Sequence, residues 1–266
     1  MNEMTLGLIK NSPLHEALIE LMWKASEVIY ELYHSDNIEV RTKDNHSPVT
    51  EADLAAHQVL VQGLSLLTPE IPVVSEEDSD SLMTRKTHAR YWLIDPLDGT
   101  REFMQRNDQF TCNLALIDHS RTRYGFVSVP AYRQLYHGGQ DFGAQRVNRD
   151  GTKTSIECRK QMQPIRVVAS KSHLNDETKE FIEAIGAPVE LIRAGSSLKF
   201  LRIAEGAADL YPRLGDTCEW DTAAAQAILE GAGGAVLDLK NSPLAYSKDD
   251  VINPYFVAYS QTSSFA

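Results

Sequence analysis

Apolar residues at Leu14, Leu18, Leu21, Met22, Ala25, Val28, Ile29 and Leu32 recur at steps of three and four, which predicts an amphipathic helix. Ile38 to Thr42 alternates as a strand does, and the polar stretch 43–47 reads as a loop before Pro48-Val49-Thr50. A second helical stripe follows in Leu54, Ala55, Val59, Leu60, Leu64 and Leu67. Thr50 suits its N-cap and Asp53 falls at its third position, close to a capping-box pattern. Ile71 to Val74 predicts a short strand, followed directly by the acidic run Ser75-Glu76-Glu77-Asp78. Tyr91 to Ile94 predicts a buried strand that stops abruptly at Asp95-Pro96-Leu97-Asp98-Gly99-Thr100, which we read as a tight turn.

Beyond that turn, Phe110 to Ile117, Tyr124 to Val129 and Gln134 to Tyr136 are apolar runs separated by turn formers, so an antiparallel meander is expected. The polar stretch 148–163 suggests a boundary between an N-terminal α+β half, residues 1–155, and a C-terminal α/β half, residues 156–266. The second half alternates: strand at Ile165 to Ala169, helix at Asp176 to Ile185, strand at Val189 to Ile192. A helix opening at Gly195-Ser196-Ser197-Leu198-Lys199, a strand at Ala208 to Tyr211 and an alanine-rich helix from Asp221 to Ala232 complete it. Gly231-Ala232-Gly233-Gly234 follows a helix and so reads as a helix stop, not a dinucleotide loop.

The Asp95 to Thr100 segment carries the chemistry. Two carboxylates at the end of a buried strand, with no Lys or Arg between them, need a cation. Mg²⁺ takes oxygen ligands and keeps positions open for phosphate oxygens, which points to a metal-dependent phosphatase. Glu76, Asp95, Asp98 and Asp221 supply the carboxylates that a site with metals roughly 3.5–4 Å apart would need. Taken alone, Glu76 reads as part of a surface turn, and Asp53 and Asp221 as helix-capping residues. Aspartyl-phosphate chemistry uses an Asp-x-Asp turn; here Pro96 and Leu97 both intervene, which argues against it. Phosphate loops, His-Glu-x-x-His and Gly-x-Ser-x-Gly are absent.

Composition changes this picture little. At 266 residues, 42% hydrophobic and 24% charged, the chain is an ordinary globular one. A formal charge of −11 speaks against nucleic acid as a partner and requires a local inversion of field for any anionic substrate. Cys112, Cys158 and Cys218 form no paired motif, and the sequence carries neither a secretory h-region nor a bilayer-length apolar run. A cytoplasmic location is expected, with peripheral association at the inner membrane left open.

Ordered blocks along nearly the whole chain resemble the inositol monophosphatase superfamily, and more narrowly its bacterial 3′(2′),5′-bisphosphate nucleotidase branch. They are Ser47 to Asp53, Ser75 to Asp78, Trp92 to Phe103, Gly195 to Phe200, Ala204-Glu205-Gly206 with Leu210 to Arg213, and Trp220 to Ala224. The resemblance implies an αβαβα layered sandwich of the α+β or α/β class, with the active site between its halves. It implies two or three Mg²⁺ ions held by Glu76, Asp95, Asp98, Asp221 and the Leu97 carbonyl. Asp53 and Thr100, with Glu76, match the family's catalytic positions, and Gly99 lets the backbone approach the phosphate. Substrate contacts are implied at Ser170, His173, Ser196 and Lys199, with Arg213 a further candidate. The implied reaction is hydrolysis of adenosine 3′,5′-bisphosphate to AMP, with the 3′-phosphosulfate analogue as a second substrate, inhibited by lithium and serving sulfur assimilation. A monomer or homodimer is expected. An inositol or sugar phosphatase and a Mg²⁺-dependent nucleotide-binding module are the alternatives. The first dozen residues and the pair Cys218-Glu219 depart from the family pattern.

Overall fold

The computed structural model describes residues 12–35, 40–42, 48–160, 162–170 and 175–260, and side chains at all of these except 40–42, 48 and 170. Helix α1 (Pro13–Tyr33) starts where Ser12 Oγ accepts the His15 amide, with proline in the first turn. Strands β1 (Val40–Thr42) and β2 (Pro48–Thr50) pair antiparallel and lead into α2 (Glu51–Leu67). A seven-stranded sheet follows. Its strands, in spatial and chain order, are β3 (Val73–Ser75), β4 (Arg90–Asp98), β5 (Thr111–Asp118), β6 (Arg121–Val129), β7 (Gln134–Gly139), β8 (Gly143–Asn148) and β9 (Lys153–Ile156). β3 and β4 are parallel and the rest antiparallel. Two short helices, α3 (Thr84–Thr87) and α4 (Thr100–Met104), flank β4.

The second sheet runs β11 (Val189–Ala194), β10 (Ile165–Ser170), β12 (Leu210–Arg213), β14 (Phe256–Tyr259), β13 (Ala235–Asp238). β10 is parallel to β11 and β12; the other pairs are antiparallel. Its helices are α5 (Asp176–Ala184), α6 (Leu198–Ala204) and α7 (Glu219–Gly231).

Alternation along β4 explains the layering. Trp92 and Ile94 join Leu18, Met22, Ile29, Leu60 and Leu64 of α1 and α2 on one face. Tyr91 and Leu93 point the other way, into a core with Phe200 of α6, Ala224 and Ile228 of α7, and Phe256 of the second sheet. α5 closes the outer face, Phe181 and Ile182 lying over Val167, Leu210 and Val257. The order is therefore α1/α2, large sheet, α6/α7, small sheet, α5, the αβαβα sandwich expected. α7 lies close on the large sheet because β6 offers no side chain there: a Cβ on Gly125 would sit 2.0 Å from the Ala224 carbonyl oxygen.

Three expectations change. The Asp95 to Thr100 segment is not a tight turn: β4 runs on to Asp98, with a register shift between Asp95 and Asp98. The polar stretch at 148–163 holds β9, whose first three residues are polar and exposed and gave it no apolar signature. β13 was not foreseen at all.

One polar chain is buried in the first core. The Tyr124 hydroxyl lies 3.0 Å from His15 Nε2 and 2.9 Å from His137 Nδ1. Burial pushes His137 down to about 3, with His15 and Lys153 adding to it, and burial lowers His15 as well. Both rings stay neutral in the fold, whereas the unfolded chain takes up their protons below about 6.5. Stability is therefore lost as pH falls from there towards His137's folded value. Urea melts in saturating Mg²⁺ should show the parent losing about 2 kcal/mol more than His137→Asn between pH 7 and pH 5. Equal slopes in parent and variant would refute this.

Candidate active site

The site forms where β3, β4, α2 and α7 converge. The Glu76 amide donates to the Ile94 carbonyl at 3.2 Å, which draws the acidic run after β3 alongside β4. Asp95, 1% exposed, accepts the Leu97 amide at 3.1 Å, a local bond that the register shift permits. Glu76, Asp95 and Asp221 each offer a carboxylate oxygen within 4.8 Å of the others. Burial pushes the Asp95 carboxyl well above the usual range, and Glu76, Asp98, Asp221 and Asp53 push it further. Asp221 is raised to about 8 by burial, then by Asp98 and Glu76. The charges acting most strongly on Asp95 are all negative, so the group is unstable as a set of anions without a bound cation. Oxygen-only ligands of this kind suit a hard divalent ion.

Asp221 is not an N-cap. Cys218 caps α7, and Asp221, at the third position, accepts the Cys218 amide through Oδ2 at 2.9 Å. Asp53 has the same place in α2, where the predicted capping box is complete. Its Oδ2 accepts the Thr50 amide at 2.7 Å and the Thr50 hydroxyl at 2.5 Å. Its Oδ1 faces Thr100, whose hydroxyl lies 3.2 Å from it and 3.3 Å from the Leu97 carbonyl. Thr100 has one proton for two acceptors, so its lone pairs face elsewhere and can accept from a water. Gly99, at φ +93°, turns the chain into α4, a helix of five residues.

Asp98 stands apart from the three-carboxylate group. Its Oδ2 accepts the Ser196 hydroxyl at 2.6 Å, the Ser197 amide at 2.8 Å and the Ser197 hydroxyl at 3.0 Å. Ser196 Oγ also lies 2.6 Å from Thr111 Oγ1, so the hydroxyl expected to contact substrate is turned onto Asp98. Asn113 Nδ2 donates to Ser197 Oγ at 3.1 Å. Thr111, Asn113 and Ser197 were missed by the sequence reading. For Thr111 and Asn113 the available signal was a polar residue inside a strand buried on both faces.

A cleft of about 200 Å³ opens beside Asp98 and Asp221, lined also by Gly99, Glu102, Lys199 and Arg213. Lys199 is buried on α6, its Nζ 5.4 Å from the Tyr211 ring centre. Burial brings its amine down to about 8, with Arg213 opposing its charge and Asp98 favouring it. Arg213 spends part of its guanidinium on the Gly215 and Asp216 carbonyls. His173 lies outside the described residues, as does the Ser170 side chain.

Residues 10–262 match the inositol monophosphatase family, and the chain belongs to that family. Within it, the chain is 41% identical to the 3′(2′),5′-bisphosphate nucleotidase CysQ of Escherichia coli K12, over 91% of this chain and 97% of that protein. It is 34% identical to the Haemophilus influenzae protein of the same name, over 94% of each. The crystal structure of CysQ from Bacteroides thetaiotaomicron superposes with a TM-score of 0.81 at 34% identity, covering 93% of this chain and 97% of that one. Among the described residues no helix is long and apolar enough to cross a membrane.

Proposed function

We propose that the chain is a Mg²⁺-dependent 3′(2′),5′-bisphosphate nucleotidase that hydrolyses adenosine 3′,5′-bisphosphate to AMP and phosphate. One observation carries the reading: the Asp53–Thr100 pair sits beside a cluster of carboxylates whose charge demands a cation. The CysQ relatives supply the substrate class. Glu76, Asp95 and Asp221 would hold Mg²⁺, with Asp98 and the Leu97 carbonyl as further oxygen ligands. When bound, Mg²⁺ neutralises phosphoryl charge and makes water more acidic.

The chain's own residues supply the rest. Thr100 Oγ accepts a proton from the attacking water while its own proton passes to Asp53 Oδ1, a general-base relay whose carboxylate is held by the α2 cap. The positive φ of Gly99 brings the backbone against the phosphate. Lys199 and the remaining donors of Arg213 hold the second phosphate, the local inversion of field that a chain of charge −11 needs. Asp98 is pinned by Ser197, so the cleft wall keeps its shape as substrate enters.

Phosphate release with Mg²⁺ should be faster from adenosine 3′,5′-bisphosphate than from inositol 1-phosphate, and added Li⁺ should inhibit it. Preference for the inositol ester would instead make the chain an inositol phosphatase using the same carboxylates.

A further inference from the structure

Cys218-Glu219 departed from the family pattern and plays no part in the mechanism above, yet Glu219 is wholly buried. It is the first residue of α7, two positions before Asp221. Its Oε1 accepts the Lys248 amide at 2.9 Å and Lys248 Nζ at 2.8 Å, and its Oε2 accepts the Ser247 amide at 3.1 Å. All of these come from the same C-terminal part of the chain. Arg85 is the exception. It belongs to α3, is 6% exposed, and places Nη1 3.5 Å from Glu219 Oε2. Its guanidinium also donates to the Lys248 and Asp249 carbonyls.

Arg85 ends a compact unit that begins at Glu76. Ser75 and Asp78 form a bridge, the Ser75 amide donates to Ser81 Oγ at 3.0 Å, and Asp78 caps the 3₁₀ turn leading to α3. Asp221 lies two residues from Glu219, and Glu76 opens the unit that Arg85 closes, so the contact joins the carriers of the two carboxylates. The two carboxylates repel each other, so something must hold their carriers together before a cation arrives.

We propose that the Arg85–Glu219 pair is a clamp that sets the spacing of Glu76 and Asp221, making both positioning residues of the metal site. The proposal rests on the metal reading given above. Removing Arg85 leaves Glu219 with three donors, so the fold has no uncompensated buried anion. Lys248→Met is the control, since it removes a partner of Glu219 that does not tie α7 to α3.

The probe is Mn²⁺ alone, titrated into the full-length protein and followed by electron paramagnetic resonance. Arg85→Met should weaken Mn²⁺ binding about 10-fold, the usual loss when a partner behind a metal ligand is removed. At saturating Mg²⁺ its kcat should stay near the parent's. Lys248→Met should lower the melting temperature without that shift in affinity. Glu219→Gln, which keeps size and shape, should reproduce the Arg85→Met result if that variant folds poorly. Unchanged Mn²⁺ affinity in both Arg85→Met and Glu219→Gln overturns the clamp, as does an equal shift in Lys248→Met. A parent that binds no Mn²⁺ overturns the metal reading, and the clamp with it.

Discussion

Asp95→Asn should reduce phosphate release by about 1,000-fold, roughly 4 kcal/mol of transition-state stabilisation, while raising the melting temperature of the protein in chelator. The two effects have one cause. Asp95 is buried, and the charges acting most strongly on it are other carboxylates, so its anion is costly until a cation binds. The sign follows from its raised folded pKa: the folded chain keeps a proton that the unfolded chain gives up near 4. Stability in chelator is therefore lost as pH rises from about 4 through the folded value. Asp221, raised to about 8, extends that window through neutral pH. Mg²⁺ should reverse the loss, adding about 2.7 kcal/mol at one hundred times its dissociation constant. Melting curves at pH 6 and 8.5, with chelator and with Mg²⁺, test this. A melting temperature that ignores pH, metal and the Asp95→Asn change together would refute the account.

Asp53→Asn should lower kcat about 1,000-fold and leave KM and the half-saturating Mg²⁺ concentration nearly unchanged, because general-base assistance is worth about 10²- to 10⁴-fold. The amide oxygen can still accept the Thr50 amide, so the α2 cap survives in part and the loss of stability should be no more than about 1 kcal/mol. What disappears is the anion that receives the Thr100 proton. Steady-state kinetics settles it: full turnover by Asp53→Asn would remove the relay from the mechanism and favour a nucleotide-binding module. A large rise in the half-saturating Mg²⁺ concentration would instead make Asp53 a metal-site residue.

Local features of this site were legible in the chain. Thr50 and Asp53 announce a capping box by spacing alone, and the box is there with both bonds formed. Tyr91 to Ile94 was legible as a buried strand for the same reason, since adjacent positions are apolar on both faces. The family resemblance then gathered acids that spacing left ambiguous, Glu76 and Asp221 above all, and the structure brings both to Asp95. Long-range partners were not legible. No pattern within residues 80–90 says that Arg85 reaches Glu219, and none within 95–100 says that Asp98 is held by Ser197. Those contacts depend on how two sheets stack. The β4 bulge escaped for a subtler reason: Pro96 and Gly99 signal a break in pairing, but a strand can absorb an irregularity and continue.

The close seat of α7 on Gly125 also bears on how the protein is made. The large sheet is complete in the chain by Ile156, yet α6 and α7, which cover one of its faces, begin only at Leu198 and Glu219. A ribosome therefore delivers every strand of that sheet before it delivers their cover. Until then Tyr91, Leu93 and Val127 present an apolar face to whatever is nearby, the condition under which nascent chains need chaperones. Since α7 brings in Asp221, the acidic centre assembles only after every strand of that sheet has been made. A nascent chain cannot gain phosphatase activity before its large sheet can be covered.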